Sequence, residues 1–207
     1  RAKLAVQPQL LFLSTVSTRA NSREARGPYT KGHSERVTAY AVMIAEGLDL
    51  SADELELLRY AGLLHDIGKI RIRDHILHKP GRLTDPEFDE MKKHPEYGVE
   101  IMQPVAAFRH ILPAMLHHHE RFDGRGYPHG LAGEDIPLTA RILCVADCFD
   151  AMTSDRPYRQ AWTKEKALDY IRAMAGRHFD PEVVDLFLKL GWKRDGFNRP
   201  PPISLIL

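Results

Sequence analysis

HSERVTAYAVMIAEGLDLSADELELLRYAGLLHD, residues 33–66, holds two apolar stripes of helical period with one punctuation mark between them. Val37, Ala41, Ile44 and Leu48 recur at spacings of three and four, which puts them on one helix face. Ser51 and Glu54 form a capping box, in which each side chain accepts from the other's backbone N–H. A second helix therefore opens there and carries Leu55, Leu58, Ala61 and Gly62. Helix following helix predicts an all-α chain. The second stripe then runs into His65 and Asp66, polar groups where the pattern asks for core. Burying that pair is costly unless a divalent cation takes the neutral imidazole and the carboxylate together. The alternative is a hydrogen-bonded pair that closes the helix.

The rest of the chain extends the pattern. Thr84, Pro86 and Glu87 start a segment EFDEMKK, Thr163 caps KEKALDYIRAMAG, and Asp180 with Pro181 starts EVVDLFLKL. No region alternates with period two for long enough to make a strand. HKPGRLTDP, FDGRGYPHGLAGEDIP and SDRPYRQAW read as loops, rich in the residues that turns require. The expectation is a compact helical bundle with functional loops between helices.

At 207 residues, 43% hydrophobic and 28% charged, the balance is that of a globular domain. Lys plus Arg (29) against Asp plus Glu (28) leave a net charge of +1, so no overall field argues for DNA or a membrane surface. No apolar run approaches the roughly 20 residues that cross a bilayer, and RAKLAVQPQLLFLS, broken by Pro8, lacks a leader's cleavage pattern. The expected location is the cytoplasm. Cys144 and Cys148, one helical turn apart, have no second pair and read as buried thiols in a reducing compartment. Arg1 at the start reads as the mark of a fragment of something longer.

Polar groups sit beside apolar stripes at five places: GHSERV (32–37), HDIGK (65–69), KKHPEYG (92–98), HHHE (117–120) and ADCFDAMTS (146–154). Mixed His and Asp ligation suits Fe, Mn, Co, Ni or Zn rather than calcium, and a carboxylate bridges two such ions readily. Helical phase sorts the histidine triplet. With Phe108, Ile111, Leu112 and Met115 as the inward stripe, His119 falls about 30° from its centre, His118 about 70°, and His117 nearly opposite. His118 and His119 are expected to face inward, His117 to face solvent, and Glu120 to orient a neighbour. Asp147, Asp150 and Ser154 share one strip of a later helix.

The order GHSERV, LLHDIGK, HPEYG, HHERFDGRGYP, ADCFDAMTSDRPYR and FDPEVVDLF resembles the HD-GYP domain, a bacterial branch of the HD superfamily of metal-dependent phosphohydrolases. The match runs from Tyr29 to Leu190. It leaves 1–28 as an N-terminal helical or linker segment and 191–207 as a C-terminal tail. The resemblance implies an all-α bundle that hydrolyses cyclic di-GMP to pGpG or GMP, by a hydroxide bridging two divalent metal ions, with Fe or Mn ahead of Zn, Ni or Co. It implies that His33, His65, Asp66 and Asp147 hold one ion and that Asp66 bridges to a second held by His94, His118 and His119. It places Lys69 near the scissile phosphate, Tyr127 in the signature loop, and Arg156 and Arg159 on the dinucleotide, with Asp150 behind the ligands or on the substrate side. Members with three metals carry a glutamate four residues before the first histidine, where this chain has Tyr29, so two ions are implied. A hybrid cyclic dinucleotide stays open as substrate. The implied partners are an upstream sensor domain and diguanylate cyclase-type proteins. The segment LLFLSTVSTRANSREAR is read as a connecting helix, with a homodimer contact as the alternative.

Overall fold

The computed structural model describes residues 32–155 and 160–190. The expectations for the N-terminal segment, Tyr29, Arg156, Arg159 and the tail lie outside the described residues.

The first stripe forms α1 (His33–Gly47), with Val37, Ala41, Ile44 and Ala45 fully buried. The second forms α2 (Ala52–Leu64) and starts at the expected box: Ser51 N–H donates to Glu54 Oε2 at 2.9 Å, and Glu54 N–H to Ser51 Oγ at 3.3 Å. A 3-10 turn (Ile67–Arg71) and the short α3 (Asp74–Leu77) lead to α4 (Asp85–Met91), which opens on a second capping box, Thr84 with Glu87. Then come α5 (His94–Met102), a 3-10 turn (Ala106–Ile111), α6 (Leu112–His117) and a long loop that holds one 3-10 turn (Gly133–Asp135). The last helices among the described residues are α7 (Leu138–Thr153), α8 (Lys164–Ala173) and α9 (Pro181–Lys189). Thr163 caps α8 by accepting from Lys166 N–H, and Asp180 caps α9 by accepting from Glu182 N–H. Among the described residues there is no strand, only isolated bridges of Asp123 with Ala132 and Ala175 with Phe179.

α7 is the central element, because its apolar positions run nearly all round it: Ala140, Ile142, Leu143, Val145, Ala146 and Phe149 are buried. It packs on α1, α6 and α8. Phe149 meets Tyr40 of α1 and Phe187 of α9 edge to face, at ring separations of 5.3 and 5.1 Å. Each such side chain contributes about 1.5–3 kcal/mol through removal from water, plus about 0.5–1.5 kcal/mol from ring geometry. Polar residues interrupt this core at one end of the bundle, where α1, α5 and the 3-10 turn at Ile67 begin and where α2 and α6 finish.

Candidate metal centre

The polar end is assembled from helix termini, and the physical reason is visible in the hydrogen bonds. The last carbonyls of a helix have no intrahelical partner. His65 Nδ1 lies 2.7 Å from the Gly62 carbonyl, His94 Nδ1 2.8 Å from Met91 O, and His118 Nδ1 2.7 Å from Met115 O, each three residues back at a helix end. A carbonyl oxygen only accepts, so Nδ1 carries the proton and Nε2 keeps its lone pair, turned away from the helix and into the cluster. This arrangement orients a metal-ligating histidine and sets its tautomer.

His33 reaches the same place differently. Its Nδ1 donates to Asp150 Oδ2 at 2.7 Å, while its Nε2 lies 3.3 Å from Asp147 Oδ1 and 3.7 Å from Asp66 Oδ2. Asp66 stands between two groups. Its Oδ2 is 3.5 Å from His65 Nε2, and its Oδ1 is 3.3 Å from His94 Nε2. The donor atoms of Asp66, His94, His118 and His119 lie within 4.8 Å of one another, as do those of His33, His65 and Asp66. The two sets share Asp66. Asp147 adjoins the second set through His33, and Lys69 Nζ donates to Asp66 Oδ2.

Electrostatics match ligand chemistry. Burial would raise Asp66, but the Lys69 ammonium first, and then the neighbouring imidazoles, outweigh it and hold the carboxyl well below the usual range. Asp147 is held low in the same way by His33. Burial first, then His65 and His94, push His118 down to about 3, and His119 falls well below its ordinary value too. Both offer neutral imidazoles. His33 is the opposite case: burial lowers it, yet Asp147 and Asp150 raise it to about 10. His65 Nε2 and Asp66 Oδ1 are buried with no hydrogen-bond partner. Orphaned ligand atoms, mixed nitrogen and oxygen donors and a shared carboxylate all fit a pair of divalent transition-metal ions.

One sequence expectation narrows here and another changes. Asp150, expected behind the ligands or among the substrate-binding residues, is turned inward at 1% exposure, its oxygens taken by His33 and the Arg36 guanidinium fork. It stands behind His33. His117, expected to watch solvent, is 13% exposed and faces Glu120 and His129, because the helix ends at His117 and the chain turns back over it. Tyr127 stacks on His119 at 4.8 Å with an edge contact to Phe88, and burial pushes its phenol up. Its ring packs one of the candidate ligands.

Sequence reasoning passed over Arg36, whose place one turn after His33 in GHSERV was the available signal, and His178, which joins Cys144 and Cys148 in a group of possible soft ligands. Both cysteines are free thiols; Cys144 is buried as expected, and Cys148 is only partly so.

Residues 19–183 match the family model described as HD domain. The cyclic di-GMP phosphodiesterase response regulator RpfG of Xanthomonas campestris is 47% identical over 177 residues, covering 84% of this chain and 47% of that protein. The 3'3'-cGAMP-specific phosphodiesterase 2 of Vibrio cholerae is 42% identical over 174 residues, covering 82% of this chain and 33% of that one. The chain thus spans less than half the length of these relatives. Among solved structures, a cyclic GMP-AMP phosphodiesterase of V. cholerae superposes with a TM-score of 0.67 at 20% identity, over 94% of this chain and 51% of that one. The HDGYP protein Bd1817 of Bdellovibrio bacteriovorus gives 0.62 at 20% identity, over 76% and 51%. Both likenesses are of fold.

Proposed function

The chain belongs to the HD-domain family, in its HD-GYP branch, and from that premise we propose that it is a metal-dependent phosphodiesterase of cyclic di-GMP. The observation that carries the reading is the pair of ligand sets joined through Asp66. His33, His65, Asp66 and Asp147 would hold one ion, and Asp66, His94, His118 and His119 the other, with iron or manganese favoured by the mixed donors. When bound, such a pair lowers the pKa of a water and neutralises charge on phosphate oxygens.

The chain's own groups do the rest. The three Nδ1 bonds to helix-end carbonyls fix the imidazoles before substrate arrives, so no reorganisation is needed at the moment of reaction. Lys69, beside Asp66, brings a cation to the mouth of the site, where a phosphodiester would place its charge. Arg156 and Arg159 would offer forks to a phosphate or to a guanine edge. The first cleavage would give pGpG, and a second would carry it on to GMP. A sensor or receiver unit elsewhere in a longer protein would set the activity in the cytoplasm, a reading that the greater length of the relatives supports. No helix of the described residues is long and apolar enough to cross a membrane.

A second reading has a specific basis: relatives specific for 3'3'-cGAMP are as similar as several that act on cyclic di-GMP. One experiment separates them. Purified protein loaded with Mn2+ or, anaerobically, Fe2+ is incubated with each dinucleotide and the products are resolved by chromatography. Cyclic di-GMP is expected to yield pGpG, and the double variant His65→Ala/Asp66→Ala to lose turnover by at least about 10^3-fold while keeping its helical circular dichroism. Cleavage of the hybrid alone would move the assignment to it. Failure to bind or cleave either would end the phosphodiesterase reading.

A further inference from the structure

Beside the shared-carboxylate centre lies a second group of ligand atoms that the mechanism does not use. Glu120, 2% exposed, follows His119 directly and turns away from it. Its Oε1 accepts from the His129 backbone N–H at 2.7 Å, while its Oε2 is buried with no hydrogen-bond partner. His117 Nδ1 is buried and unpartnered as well, 3.7 Å from Glu120 Oε1, too far for a hydrogen bond. The His129 ring closes the group, its centroid 5.3 Å from that of His117, and the donor atoms of all three residues lie within 4.8 Å of one another. A buried imidazole nitrogen and a buried carboxylate oxygen, each without a hydrogen-bond partner and with a second imidazole beside them, form an arrangement that a cation would satisfy.

We propose that His117, Glu120 and His129 bind a divalent cation of the zinc class and that this ion pins the loop at 121–133 to the end of α6. Two imidazoles and one carboxylate are a zinc donor set with a fourth position left to water, and they select against calcium and magnesium, which take oxygen ligands. Tetrahedral bonds of about 2.0–2.1 Å need donors about 3.4 Å apart. His129 is exposed and is the group free to close the remaining distance. The consequence follows from where the three residues sit. His117 and Glu120 belong to the helix end that supplies His118 and His119, and His129 lies beyond the loop carrying Tyr127. Tyr127 N–H donates to His119 O at 3.2 Å, and its ring stacks on the His119 imidazole. An ion here would hold that loop down over His119 without entering the shared-carboxylate centre. The inference does not depend on the phosphodiesterase reading.

The test counts ions and watches the loop. Untagged full-length chain, and the same chain carrying His65→Ala/Asp66→Ala, are each dialysed against Zn2+, desalted and assayed for zinc. In both backgrounds His129→Ala, and separately His117→Ala, is expected to lower the content by one ion per chain. Amide hydrogen exchange of residues 121–133 is expected to slow on adding Zn2+ to the unaltered chain and not to His129→Ala. Equal zinc content in parent and both variants overturns the proposal, and so does a loop whose exchange is the same with and without zinc.

Discussion

Asp150 shows how much a residue that would touch no metal ion can control. Its carboxylate accepts from His33 Nδ1 and from Arg36, so it fixes the ring whose other nitrogen faces Asp147. Groups in that position typically govern about 10–100-fold in metal affinity. Asp150→Asn keeps the volume and removes the charge. It is expected to weaken metal binding by about that factor, read by isothermal titration with Mn2+, and an unchanged affinity would mean that His33 is positioned by packing alone. A second residue sets a pH dependence. The hydrogen bonds from Arg121, and then from the Arg125 backbone N–H, outweigh burial and hold Asp123 down at about 2, from an ordinary 3.8. A lowered carboxylate stabilises the fold fully above 3.8, and the contribution is lost as pH falls through about 2. The Arg125 amide, 3.2 Å from Asp123 Oδ1, reports it directly. Its NMR shift is expected to titrate with a midpoint near 2, and a midpoint at 3.8 would show that Arg121 does not hold the carboxylate.

At the scale of elements, the close approach of the 3-10 turn at Ile67 to α5 brings Asp66 to His94. Gly68 makes that approach possible, since a Cβ there would overlap the His94 carbonyl oxygen and the Gly98 nitrogen, and backbone atoms cannot swing aside. Gly68→Ala is expected to cost about 1–3 kcal/mol in urea unfolding, or more, and to weaken metal binding in the same protein, because the two elements carrying ligands must separate. Unchanged stability with unchanged metal affinity would place the contact elsewhere. This contact was not legible in the sequence. The caps were, because Ser51 with Glu54, Thr163 and Asp180 act within three residues of themselves. A glycine's need for space depends on a partner some 30 residues away, which no local pattern records. The same limit explains His117. Phase sorts side chains only while a helix continues, and α6 stops at His117, so its neighbours are set by a loop that returns at His129. Inward placement of His118 and His119 survived the restart of the helix at Leu112 because both remain next to the last buried turn, at Ala114 and Met115.

For the molecule as a whole, the all-α architecture could be read from apolar periodicity, and polar clusters at five separate places gave notice of a site. The partition into two sets sharing Asp66 came from family resemblance, since spacing along the chain carries no distance between α1 and α6. The same dispersal has a thermodynamic consequence. Candidate ligands come from the start of α1, the end of α2, the start of α5, the end of α6 and the middle of α7, so each bound ion would tie together elements far apart in sequence. Unfolding separates those elements and destroys the site, so metal would bind the folded state alone and stabilise it by mass action, by about 4 kcal/mol at a thousandfold excess over Kd. For a chain of this size each kcal/mol moves Tm by about 2–4 °C, so chelation is expected to lower Tm by roughly 8–16 °C and Mn2+ to restore it in a concentration-dependent way. Differential scanning calorimetry with and without chelator measures the shift. His129→Ala should retain it, because that variant leaves the shared-carboxylate centre intact, whereas His94→Ala should lose most of it. Burial first, and then the neighbouring imidazoles, keep His118 and His119 in the neutral form that a cation accepts, so binding an ion there requires no proton to be displaced from them. Equal Tm values with and without metal would show that the cluster is satisfied by its own hydrogen bonds, and the shared carboxylate would then have to be explained without ions.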